Sequence, residues 1–138
     1  MAVGFKVKFL WYQIGSGDFL HSFFSTVCYN LEESKWGSRF PHIMSELYSG
    51  ELKMENVDSA INELDCIKTE MGKISKDRLI WDVEDLTKKA PWGYNISDSI
   101  TNLSNYFVTS DGDDFITLFS NALEKAKKLN TGIKLESI

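Results

Sequence analysis

The sequence predicts an α+β fold, a small mixed or antiparallel sheet of about four strands packed against three to four helices. Two observations carry that expectation. Apolar residues alternate in period two near both ends of the chain, the signature of a half-buried strand, whereas between residues 18 and 74 and again between 113 and 129 they recur at three- and four-residue steps, the signature of a helix buried on one side. The absence of an internal repeat, low-complexity tract or linker predicts that residues 1–138 form a single domain.

Residues 5–12 put Phe5, Val7, Phe9 and Trp11 on one face and Lys6, Lys8, Leu10 and Tyr12 on the other, predicting a strand that Gly15-Ser16-Gly17 stops. Asp18 is then placed to cap a helix reaching about Leu31, with Leu20, Phe24, Val27, Cys28 and Leu31 inward and Phe19 and Phe23 widening the stripe. After a polar connection containing Trp36-Gly37, Pro41 stands where a first-turn proline would, and Ile43, Met44, Leu47 and Tyr48 predict a short helix that Gly50 ends. From Asn56 to Ile74, Val57, Ile61, Leu64, Ile67, Met71 and Ile74 form an apolar seam with charged residues on the wet side. Leu79–Val83 alternates like a strand. Pro91 and Gly93 break the stretch from Glu84 to Ile100, and a helical turn is expected near Ser97–Leu103. Tyr106–Thr109 reads as a strand, Ser110-Asp111-Gly112 as a turn, and Asp113–Leu129 as a helix whose lysines come last, in agreement with its dipole. Gly132 leads into a closing strand, Ile133–Ile138, and the last strand-helix-strand unit fits a right-handed parallel crossover.

Hydrophobic residues make up 43% of the chain and aromatics 13%, which predicts a globular domain with an aromatic core. Cys28 and Cys66 are far apart with no close partner, so a reducing compartment is expected instead of a disulfide framework. The N-terminal segment has no apolar h-region with a cleavage site, and no run approaches the roughly 20 apolar residues of a membrane span, so a cytoplasmic location is expected. The net charge of −5 is concentrated: residues 77–114 hold eight acids against Arg78, Lys88 and Lys89, which accounts for the whole excess. Such a field repels nucleic acid, which needs clustered Lys and Arg.

Catalytic and cofactor motifs are missing. His21 and His42 have no serine, cysteine or carboxylate in a catalytic pattern, and pairing of His21 with Asp18 on one helix face is the simpler expectation. His21, Cys28, His42 and Cys66 lack the close ligand pairs of a zinc site. Asp82-Val83-Glu84-Asp85, at a strand end, has the carboxylates to hold a divalent cation, though on spacing alone. Asp111-Gly112-Asp113-Asp114 resembles a calcium loop superficially but lacks the terminal glutamate of an EF-hand, and a turn with helix capping explains it better. Gly15-Ser16-Gly17 has neither a third glycine at nucleotide-binding spacing nor a P-loop lysine, so no cofactor is expected. Trp11 and Trp81 alternate with apolar residues and are expected in the core, and Trp36 is expected to pin its own loop. Trp92, before a glycine on an irregular segment, can pin its loop in the same way, and beside acids it also has the composition of a binding anchor.

Five blocks, His21-Ser22-Phe23-Phe24-Ser25-Thr26, Trp36-Gly37-Ser38-Arg39-Phe40-Pro41, Ile80-Trp81-Asp82-Val83-Glu84-Asp85-Leu86, Pro91-Trp92-Gly93 and Tyr106-Phe107-Val108-Thr109-Ser110-Asp111-Gly112, resemble the bacterial immunity protein 70 family, the antitoxin partners of polymorphic toxin systems. The resemblance implies a small cytosolic protein, not an enzyme, that protects its producer by binding the toxic domain encoded beside it.

The resemblance transfers no contact residues. Charge and expected exposure instead nominate Asp82, Glu84, Asp85, Trp92, Asp111, Asp113 and Asp114 as partner-binding, with the acids suited to the basic cleft of a nuclease toxin. Two alternatives stay open: a metal-assisted hydrolase built on Asp82, Glu84, Asp85 and a histidine, and an adaptor for a protein that is not a toxin.

Overall fold

A computed structural model describes residues 2–91 and 96–137. Its four strands, β1 (Ala2–Val7), β2 (Leu10–Ser16), β3 (Glu51–Leu52) and β4 (Ile133–Ser137), form one antiparallel sheet in the order β2-β1-β4-β3, and its helices cover one face. The α+β expectation therefore holds, with the antiparallel alternative realised.

The first predicted strand is in fact a hairpin. Strands β1 (Ala2–Val7) and β2 (Leu10–Ser16) pair from Ala2↔Ser16 to Val7↔Leu10, leaving only Lys8 and Phe9 in the turn. Lys8 takes a positive φ of 56°, and Phe9 is 90% exposed. The apolar alternation of Phe5, Val7, Phe9 and Trp11 runs straight through a chain reversal, which is why it misleads. Phe5 and Val7 are buried under the helices. Trp11, paired with Lys6, lies on the opposite face of the sheet, half-buried, with its indole N–H donating to Gln13 Oε1 at 2.8 Å. There its ring crosses Gly4 so closely that a Cβ at Gly4 would stand 2.6 Å from Trp11 Cζ2. Trp11 is thus not in the core, and neither is Trp81, which is also half-buried.

Helix α1 (Gly17–Leu31) begins at Ser16 instead of Asp18: the Ser16 hydroxyl accepts the Phe19 N–H at 3.1 Å, while Asp18 sits in the first turn where the helix dipole favours an acid. Leu20, Phe23, Phe24, Val27 and Cys28 are buried, so the helix is deeply packed as expected. Phe23 meets Phe115 edge-to-face, with centroids 4.7 Å apart at 81°, at the centre of a cluster that includes Phe5, Phe107 and Phe119.

The helix predicted from Pro41 is a π-helix, Pro41–Leu47, with proline in its first turn. Its N-terminal donors are met by side chains from elsewhere. Glu63 accepts the His42 and Ile43 N–H groups at 3.2 and 2.9 Å. Strand β3 (Glu51–Leu52) pairs with strand β4 (Ile133–Ser137), and two residues are too few to show a period in the sequence. Helix α2 (Val57–Met71) ends three residues before the expected Ile74, and packs on helix α3 (Phe115–Lys128) and the π-helix. Helices α1 and α3 lie directly on the sheet. The uncovered sheet face carries Lys6, Lys134 and Glu51 in register, so it is a wet, charged surface.

Two predicted strands are not strands. Leu79–Val83 bends at Trp81 and turns at Val83; it lies along α1, and its Ile80 bonds to helix hydroxyls: Ser22 and Thr26 each donate to the Ile80 carbonyl at 3.0 Å, and the Ile80 N–H donates to Thr26 Oγ1 at 3.1 Å. Tyr106–Thr109 makes only a bridge between Val108 and Asp114, closed by Thr109 N–H to Asp113 O at 2.8 Å and Phe115 N–H to Phe107 O at 2.9 Å. With that segment outside the sheet, no parallel crossover exists, and β4 runs antiparallel to β1. Ser97–Leu103 holds a turn in which Ile100 N–H reaches Ser97 O at 3.0 Å, then a bridge from Asn102 to Ser75, and no helix.

Candidate functional site

Helix α1 organises the site. Asn30 donates to the Arg78 carbonyl, Thr26 and Ser22 hold Ile80, and His21 meets Asp82, so the 78–82 segment runs back along α1 toward its N-terminus. Glu84 and Asp85 follow at that end. The 110–112 turn is fixed at the same end, because the Ser110 N–H donates at 3.0 Å to the carbonyl of Ile14, two residues before the Ser16 cap. Two acidic stretches separated by more than twenty residues thus converge where α1 begins, and Asp18 adds to them.

Their side chains do different work. Asp82 is largely covered, and its Oδ1 accepts the Glu84 N–H at 2.9 Å and faces His21 Nε2 at 3.3 Å, while Lys88 Nζ stands 3.4 Å from Oδ2. The Glu84 N–H, with His21 and Lys88 assisting, holds its carboxyl below the usual aspartate range despite partial desolvation. Asp85, exposed, accepts the hydroxyl and N–H of Thr87, and these bonds lower its pKa as well. Asp114 caps α3, accepting the Thr117 N–H at 3.0 Å and its hydroxyl at 2.8 Å, as the capping reading of this turn anticipates. Glu84, Asp111 and Asp113 are exposed, and among the described residues their carboxylates have no ion-pair partner. Trp92 lies outside the described residues.

The structure also assembles residues that sequence reasoning leaves apart. His21 does not pair with Asp18. Its Nδ1 lies 2.7 Å from the Tyr48 hydroxyl and its Nε2 faces Asp82, while the Trp36 indole stacks on the imidazole at 6.0 Å and 21°. Trp36 in turn donates its indole N–H to the Met44 carbonyl and packs on Phe24 and Tyr48, which fixes its loop against the π-helix. Burial raises the Tyr48 pKa, and the charges of Glu84 and Asp82 raise it further. Contacts spanning 27 and 61 residues have no local pattern, so only the shared chemistry of His21 and the 82–85 acids hinted at this cluster.

The arrangement offers two things chemically: a negative end able to steer a basic partner, and a histidine-carboxylate pair braced by a phenol. Among the described residues, no helix is long and apolar enough to cross a membrane. A comparison with known families finds that the family model described as Immunity protein 70 matches residues 5–135. No curated protein and no solved structure matches the chain.

Proposed function

The chain belongs to the immunity protein 70 family, which supports an immunity role, and from that premise we propose that it acts in the cytoplasm by binding a cognate toxin domain and occluding it stoichiometrically, without turnover. The observation that carries this reading is the convergence of the 82–85 and 110–114 acids at the N-terminal end of α1. A localised negative face raises the encounter rate with a positive partner and fixes its orientation more than it adds to affinity. A nuclease toxin suits it, because a cleft built for phosphate would accept carboxylates in the same places.

Glu84, Asp111 and Asp113 carry the steering charge, while Asp82, Asp85 and Asp114 hold the backbone that presents them. Trp92, adjacent in sequence to the acidic stretch, is assigned the apolar anchor. Co-expression with the toxic domain encoded beside it, scored for rescue of growth, tests the role. Rescue is expected from the wild-type chain. Loss of toxicity through turnover of a small substrate, with no complex formed, would overturn it.

A further inference from the structure

We infer that His21, Asp82 and Glu84 form a binding site for a late first-row divalent cation of the zinc or nickel type. One nitrogen or oxygen from each of the three lies within 4.8 Å of the other two. The separation of His21 and Asp82 is informative. Nε2 of His21 and Oδ1 of Asp82 are 3.3 Å apart, long for a charge-assisted hydrogen bond, which is about 2.7–2.9 Å. Two ligands each about 2.1 Å from one tetrahedral metal stand about 3.4 Å apart, so the observed separation fits a shared cation better than a shared proton.

The support around the imidazole points the same way. A metal-bound histidine needs a partner for its other nitrogen to fix the ring and its tautomer. Tyr48 provides that partner at 2.7 Å from Nδ1, and Trp36 stacks against the ring face. With Nδ1 protonated and donating to the phenol oxygen, Nε2 presents its lone pair toward Asp82. Asp82 turns Oδ1 toward the imidazole, and Glu84, exposed, supplies the third ligand from the solvent side and leaves positions open to water. One imidazole nitrogen with two carboxylate oxygens suits zinc, nickel or cobalt better than magnesium or calcium, which take oxygen alone. Lys88, 3.4 Å from the second Asp82 oxygen, is the cation that the metal would displace.

Zinc titrated calorimetrically into the full chain should bind once per chain, and magnesium should give no comparable heat. Glu84→Gln, an exposed change that leaves the fold intact, should weaken zinc binding about tenfold, and Tyr48→Phe by about ten- to a hundredfold through the lost orienting bond. Lys88→Ala should tighten it, since a competing positive charge is removed. Nickel should quench the fluorescence of Trp36, a signal that Trp36→Phe removes and His21→Gln prevents. Absence of zinc binding, binding unchanged by Glu84→Gln, or weaker binding in Lys88→Ala would overturn the assignment. Metal binding is read by calorimetry and fluorescence and toxin neutralisation by growth, so failure of the one is distinguishable from failure of the other.

Discussion

The carboxylate of Glu32 accepts the backbone N–H of Phe40 at 3.1 Å, eight residues further along the chain, in a position that is 2% exposed. The same carboxylate takes the N–H groups of Gly37 and Arg39 at 3.0 and 2.9 Å. One buried acid thus ties down the connection that carries Trp36 to the face of His21. Glu32→Ala removes three charge-assisted bonds and leaves the buried Phe40 N–H unmet, and should cost about 3 kcal/mol of unfolding free energy in a urea titration. A cost below about 0.5 kcal/mol would show that the connection is held by other contacts.

The second prediction concerns the segment that delivers Asp82. Thr26 both donates to and accepts from Ile80, a pairing that replaces the strand ladder expected there. Thr26→Val keeps the shape but deprives the Ile80 N–H of its acceptor, at a cost of about 1–2 kcal/mol. Amide exchange at Ile80 should accelerate more than exchange within α3.

Acid sensitivity follows from Glu46. Burial works against its ionisation, but the Lys53 N–H at 2.8 Å, His42 at 2.9 Å and the Asn56 amide outweigh that and leave its pKa below the ordinary value of 4.5. A depressed folded pKa means that the group's stabilisation is complete above 4.5 and is lost as the pH falls through the folded value. Glu46→Gln should therefore flatten the acid limb of the stability profile below pH 4.5. Glu63, whose pKa burial raises, acts in the opposite sense, so Glu63→Gln should leave that limb at least as steep as in the wild type.

These cases show what the sequence could and could not disclose. The helical seams around Phe24, Leu64 and Phe119 were legible because a single buried face imposes its period on the residues themselves. Phe9 and Ile80 misled for opposite reasons. At Phe9 an apolar alternation passes through a turn that only cross-strand pairing reveals, and at Ile80 an alternating segment finds its partners on a helix instead of a strand. The acidic composition of the candidate site was visible, but its convergence depends on Ser110 reaching Ile14 and on His21 reaching Asp82, contacts between distant positions. The buried Glu32 and the half-buried Glu46 and Glu63 gave no signal either, since a glutamate that gathers backbone N–H groups looks in sequence like one facing water.

Charge at the acidic end should govern association. Glu84→Lys combined with Asp111→Lys leaves the internal bonds of Asp82 and Asp114 in place and should slow complex formation with the toxin domain by at least tenfold at low salt. The difference between variant and wild type should shrink as ionic strength rises, because screening shortens the reach of the field.

The most direct measurement of the central claim is the association rate of the purified chain with the toxin domain encoded beside it, in a one-to-one titration that also records toxin activity. The account predicts loss of activity at one equivalent, and an association rate that falls with salt in the wild type and much less in the Glu84→Lys, Asp111→Lys variant. Stoichiometric inhibition with the same rate and salt dependence in both proteins would place the interface elsewhere, and absence of any complex would contradict the account altogether.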